Sequence, residues 1–190
     1  FLAHIQGKLT TMAGNRFVRR DFLLSSGVKF KENTRFEDNI WSFSLAIRAK
    51  KVSTTGTVTY YYRTHNDSFT CSSKYDSKKL DYLYYMMQYY EQDASELEPG
   101  NLYHYRIWYA RNILDILEKI VVYEQDPNQR AIRLKCIFQN LTIPHRELNT
   151  LTHNMYKFCK IFAIFFKNFQ WLIPLIYIRK WKRDIAYSCR

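Results

Sequence analysis

The segment Arg35-Phe36-Glu37-Asp38-Asn39 runs straight into Ile40-Trp41-Ser42-Phe43-Ser44-Leu45-Ala46-Ile47. Ile40, Phe43 and Ile47 recur at helical spacing, with Trp41 and Leu45 one step around the wheel. The spacing predicts a helix from the two carboxylates to about Lys51. Glu37 and Asp38 then fall in its first turn. Carboxylates are favoured there by the helix dipole and by the N–H groups that have no intrahelical partner. Two readings follow. In the first the pair only complements the helix end. In the second one carboxylate faces a cleft and acts as a general base.

Around that helix the composition sets the class. The chain has 190 residues, enough for a domain with a real core. Hydrophobic residues make up 47%, which excludes a disordered chain. Five Gly and four Pro are few, and this favours helices over a many-turned β-sandwich. The net charge of +12 calls for an anionic partner: nucleic acid, an acidic membrane surface or a phosphorylated ligand. Cys71, Cys136, Cys159 and Cys189 form no C-x-x-C pair and have no His at ligand spacing. A zinc site is therefore not expected, and scattered cysteines fit a reducing cytosol better than a disulfide framework. No signal peptide is evident. The chain starts with Phe1 and enters mid-pattern, so the expectation is that a preceding part of a larger protein is missing.

Before the carboxylate pair, residues 13–20 read as a short strand after a Gly-Asn turn. Asp21 starts a short helix that stops at Gly27, and Val28-Lys29-Phe30 reads as extended. After the helix, Val52 to Thr54 and Val58 to Tyr62 read as strands, being β-branched and aromatic. Arg63-Thr64-His65-Asn66-Asp67-Ser68 is a polar loop.

Beyond about Ser77 the pattern becomes helical. Residues 78–93 carry Leu80, Leu83, Tyr84, Met87 and Tyr90 on one side. Pro99-Gly100 reads as a break. Residues 101–125 carry a stripe of Tyr109, Ile113, Ile116, Leu117 and Ile120. Asp126-Pro127-Asn128 ends that helix, and 129–141 forms another. From Ile161 to Ile178 the chain is apolar but interrupted by Lys167, Asn168, Gln170 and Pro174. It is too short and too broken to span a bilayer. Phe162, Phe165, Phe166, Phe169, Leu172 and Ile173 share a face, and Arg179, Lys180, Lys182 and Arg183 follow. That is the pattern of an interfacial helix on an anionic membrane; the alternative is a buried helix with a basic tail.

Residues 15–70 together resemble the C-terminal half of the catalytic domain of family-2, GT-A-type bacterial glycosyltransferases. The resemblance is carried by Arg16-Phe17-Val18-Arg19-Arg20-Asp21-Phe22-Leu23-Leu24, Val28-Lys29-Phe30 and Arg35-Phe36-Glu37-Asp38-Asn39. It continues through Ala49-Lys50-Lys51-Val52 and Tyr60-Tyr61-Tyr62-Arg63 to a loop with Ser68 and Thr70. The order and spacing of these blocks carry it; a Glu-Asp pair alone does not. It covers about a third of the chain.

The resemblance implies an α/β fold class: an incomplete, Rossmann-like GT-A domain followed by a mostly α-helical C-terminal region. The implied organisation is 1–76 as the acceptor-side part of that domain, 77–150 as a helical appendage and 151–190 as a basic amphipathic membrane-associating helix. The implied activity is inverting transfer of a sugar from a nucleotide-diphosphate sugar, a UDP-sugar by expectation, to a cell-surface glycan or lipid-linked acceptor. Asp38 would be the general base and Glu37 would help position the acceptor or the loop. Arg63 and Ser68 would contact the donor diphosphate, with His65 beside them. The structural alternatives are a solvated strand end for Arg63 and an ordinary loop position for His65. A divalent cation, Mg or Mn, is expected by the resemblance, but its Asp-x-Asp ligand motif is absent from this sequence. The isolated chain is therefore expected to be inactive. The expected location is cytoplasmic, peripheral on the inner face of the cell membrane, with no nucleic-acid partner. Alternative readings are a basic, aromatic-rich module that binds nucleic acid or membrane, and an inactive transferase remnant.

Overall fold

The computed structural model describes residues 1–61, 63 and 77–142. Its helices are α1 (Leu2–Ile5), α2 (Arg20–Ser26), α3 (Glu37–Arg48), α4 (Ser77–Asp93), α5 (Pro99–Tyr123) and α6 (Pro127–Asn140). Two 3₁₀ turns, Ala13–Asn15 and Ala94–Glu96, complete the regular structure. The chain groups into two compact units, Phe1–Tyr109 and a second from Ala110 onward.

Helix α3 forms where its apolar period places it. Ile40, Trp41, Ser42, Phe43, Ser44, Leu45 and Ala46 are all buried, so the helix is enclosed on more than one face. It ends at Arg48, earlier than the expected Lys51, because Ala49 turns extended at ψ 120°. Its start is unusual. Phe36, the residue before the first turn, adopts φ 64°, ψ 25° and offers no side-chain cap. An aromatic residue in the left-handed region is strained by about 1–3 kcal/mol. The Phe36 carbonyl accepts from the N–H groups of Asn39 at 3.0 Å and Ile40 at 3.1 Å, which launches the helix.

Around Phe43, which is fully buried, the first unit builds an aromatic core. Trp108 stacks on it at 5.4 Å with planes 11° apart, and Tyr90 lies 4.5 Å away. Leu80, Met87 and Ile40 fill the same interior. Burying each such side chain contributes about 1.5–3 kcal/mol. A smaller cluster joins Val28, Trp41 and Leu45 to Ala13, Val18, Phe22 and Leu23. Polar ties hold α3 to α4. Ser44 Oγ donates to the Asp93 carboxylate and lies 3.0 Å from the Ile40 carbonyl of its own helix. Arg48 lies 3.7 Å from Asp93 and pairs with Glu96.

In the second unit Ile113, Leu117, Ile120, Val121, Leu134 and Ile137 are buried. Arg130 is buried too, and its Nε donates to the Glu124 carbonyl at 2.9 Å, satisfying an acceptor just past the end of α5. Arg133 Nε meets the Glu124 carboxylate at 3.0 Å.

The expected α/β fold is overturned. Among the described residues every regular element is helical, and no strand, sheet or Rossmann-like core is present. Residues 13–20 are a 3₁₀ turn followed by a single extended stretch that leads into α2. Residues 51–61 form neither helix nor strand. The physical reason is the lack of a pairing partner: Phe17 is 97% exposed, Tyr61 87% and Val58 66%. β-propensity reflects packing on a pleated surface, and without neighbours to hydrogen-bond and cover it the sequence preference is unspent. Pro99-Gly100 marks the boundary between α4 and α5 as expected, and α5 opens on Pro99 itself, two residues before the expected start, at a first helical position where a missing N–H costs nothing.

Gly27 stops α2 as expected, in the left-handed conformation at φ 66°. The stripes expected of the later helices are also present. Leu80, Leu83, Met87 and Tyr90 are buried on α4, as are Tyr109, Ile113, Ile116, Leu117 and Ile120 on α5. Among the described residues no helix is long and apolar enough to cross a membrane. The expected interfacial helix at 151–190 lies outside the described residues.

Candidate functional site

The first turn of α3 places Glu37 in solvent and Asp38 half-buried. This difference follows from the period. Asp38 lies one turn before the buried Ser42, so its side chain is on the face turned toward the protein. Asp38 Oδ1 accepts from the Asn39 N–H at 2.8 Å and from Asn39 Nδ2 at 2.9 Å. Both recorded bonds use the same oxygen, so Oδ2 keeps its acceptor capacity among the described residues.

Two side chains feel the charge of Asp38, and a third feels that of Arg16. The first is Arg16, half-buried, whose guanidinium is lowered from its ordinary pKa by burial and sustained by the Asp38 charge. The second is Tyr90 on α4, whose phenol is pushed upward by burial and then by Asp38. It stays protonated and can donate. The third is His4 on α1. Burial, followed by the charges of Arg16 and the chain's amino group, lowers its imidazole to about 4, so it is neutral at pH 7. His4 Nδ1 is buried with no hydrogen-bond partner.

The backbone that carries Arg16 is fixed to α3. Ser42 Oγ donates to the Thr11 carbonyl at 2.6 Å, and an Arg16 terminal nitrogen donates to the neighbouring Thr10 carbonyl. The 3₁₀ turn before Arg16 meets the chain that follows α3. Thr59 Oγ1 and Asn15 Oδ1 are 3.2 Å apart, the hydroxyl donating. The Tyr60 ring lies against Gly14, where a Cβ would come within 2.8 Å of Tyr60 Cε2. A side chain at this position would push the exposed Tyr60 ring aside.

The sequence-predicted residues are distributed as follows. Asp38 and Glu37 share the first turn of α3. Arg63 is exposed and outside any regular element. His65 and Ser68 lie outside the described residues. Arg16, Tyr90 and His4 had no role in the sequence reading. Arg16 had been quoted only within a block of the resemblance. For Tyr90 the sequence signal was membership of an apolar stripe, and for His4 there was none.

No group of three or more His, Cys, Asp or Glu side chains fit to hold a metal ion occurs among the described residues. The divalent cation implied by the resemblance has no ligand set there, and no step below runs through it. No protein-family description, curated protein or solved structure shows a significant match to this chain.

Proposed function

We propose that this chain contributes the acceptor side of a glycosyl transfer, with Asp38 as the general base. The observation that carries the reading is the half-buried Asp38 carboxylate at the start of α3, with one oxygen held by Asn39 and the other uncommitted. A sugar hydroxyl is a poor nucleophile at neutral pH. In the proposed step its proton passes to Asp38 Oδ2 as its oxygen bonds to the anomeric carbon of the donor. The bond from that carbon to the nucleoside diphosphate breaks on the opposite face, and its electron pair leaves with the diphosphate. The configuration inverts. Tyr90, kept neutral beside Asp38, serves as a hydrogen-bond donor to the carboxylate or the acceptor.

The order of blocks between Asn15 and Thr70 supports a nucleotide-sugar donor. Arg63, with Ser68 and His65, is assigned to the donor diphosphate on that resemblance. The acceptor is a cell-surface glycan or a lipid-linked glycan. The basic, Phe-rich sequence at 151–190 supports a peripheral location on an anionic cytoplasmic membrane face.

The test is acceptor-dependent release of nucleoside diphosphate by the full-length polypeptide, offered a panel of UDP-sugars and glycan acceptors. Release that depends on both substrates and is lost in Asp38→Asn supports the reading. Full release by Asp38→Asn removes Asp38 as the base.

A further inference from the structure

Arg16 presents more donor capacity than the described structure uses. A guanidinium has five N–H donors, and a half-buried one is ordinarily matched by a carboxylate. The recorded partner of Arg16 is the Thr10 carbonyl, and no described carboxylate lies within ion-pair distance. The charge that acts on it is that of Asp38.

Its position is built, not incidental. Asp38 and Ser42 lie one helical turn apart on the same face of α3. Ser42 holds the Thr11 carbonyl at 2.6 Å, and the adjoining Thr10 carbonyl holds the Arg16 side chain. These two bonds tie the segment that carries Arg16 to the helix face that carries the base. Beyond Arg16 the surface is basic: Arg19 and Arg20 are exposed, with Asp21 as the acidic neighbour.

We propose that Arg16 is an acceptor-binding residue, and that the acceptor bears a phosphate group close to the hydroxyl that Asp38 deprotonates. This deepens, and rests on, the reading of Asp38 as the base of a glycosyl transfer. The planar fork of Arg16 matches two phosphate oxygens. Its carbonyl anchor fixes the side chain while leaving donors for the ligand. A neutral sugar would leave those half-desolvated donors unmatched. The phosphate comes either from a phosphorylated soluble glycan or from a lipid diphosphate.

Two measurements test this. In the first, glycerol phosphate is titrated into the full-length polypeptide and followed by calorimetry. Arg16→Gln is expected to weaken binding by about tenfold or more, the scale of one charge-assisted hydrogen bond. Arg16→Lys, which keeps the charge and serves as the folding control, is expected to fall in between. Arg19→Gln is expected to stay near wild type. Absent binding to wild type, or equal loss in Arg16→Gln and Arg19→Gln, overturns the proposal.

In the second, transfer is measured to one glycoside in neutral and phosphorylated forms, and to a lipid-diphosphate acceptor in vesicles. Arg16→Gln is expected to raise KM about tenfold for the phosphorylated forms and to leave the neutral one near its wild-type value. Use of the soluble or only the vesicle acceptor identifies the source of the phosphate. Equal effects on neutral and phosphorylated acceptors overturn the role of Arg16 while leaving Asp38 as the base. Loss of phosphate binding in Arg16→Gln without any transfer by wild type overturns the base assignment and leaves the anion site standing.

Discussion

Ser42 Oγ, on a fully buried side chain of α3, donates to the Thr11 carbonyl at 2.6 Å. The bond spans more of the sequence than any local turn and joins the segment carrying Arg16 to the face carrying Asp38. Neither residue's position follows from its own helix or loop alone.

Ser42→Ala deletes the donor and strands the Thr11 carbonyl. Leaving a part-buried acceptor unsatisfied costs about 1 kcal/mol, the low end of the range for a buried one. Chemical denaturation of wild type and variant should show that loss of stability as a lower midpoint with an unchanged slope. Because Arg16 is held through the adjacent carbonyl, phosphate binding should weaken as well. A Ser42→Ala protein as stable as wild type contradicts this account of the link.

The sequence showed how much of this could be read in advance. Helix α3 was legible because Ile40, Phe43 and Ile47 mark one face without ambiguity. The stripes of α4 and α5 were legible for the same reason. Gly27 was legible as a helix stop because a residue without Cβ pays nothing at φ 66°. Val58, Tyr60 and Tyr61 misled, since β-propensity describes how a side chain packs among strand neighbours, and the described structure gives them none. Pro99-Gly100 was legible as the boundary between α4 and α5, although α5 begins on the pair itself and not after it. The carboxylate pair was visible as a motif. Which of the two turns inward was not, and neither were Arg16 and Tyr90, on which the Asp38 charge acts only through tertiary packing, nor the buried His4.

His4 makes stability depend on pH. Its folded value of about 4 lies below the ordinary 6.5, so the unfolded chain binds more protons between those values. Stability attributable to His4 is therefore complete above pH 6.5 and lost as pH falls toward 4. The loss is on the order of 2–3 kcal/mol, taking about 1.4 kcal/mol per unit. Urea midpoints of wild type and His4→Phe between pH 7.5 and 4.5 isolate it from the carboxylates, which both proteins share. The gap between them should move in favour of His4→Phe as pH falls. A gap that does not change with pH contradicts a buried, neutral His4.

Asp126 is the N-cap of α6, and its carboxylate accepts from the Asn128 N–H at 2.8 Å. Asp126→Ala should destabilise the protein by about 1 kcal/mol, with Asp126→Asn avoiding most of that loss because the amide oxygen still caps. Thermal melts of the two variants provide the comparison. Identical melts for Ala and wild type would show that the cap contributes nothing.

The most direct test of Asp38 as the base separates chemistry from binding. Transfer and UDP affinity are measured on the full-length polypeptide for wild type, Asp38→Asn and Glu37→Gln. The expected result is a fall in kcat of about 10²–10⁴ for Asp38→Asn, the range of general-base catalysis, with UDP affinity near wild type and Glu37→Gln far less affected. An Asp38→Asn protein that turns over at the wild-type rate, or one whose entire defect is lost UDP affinity, contradicts the assignment.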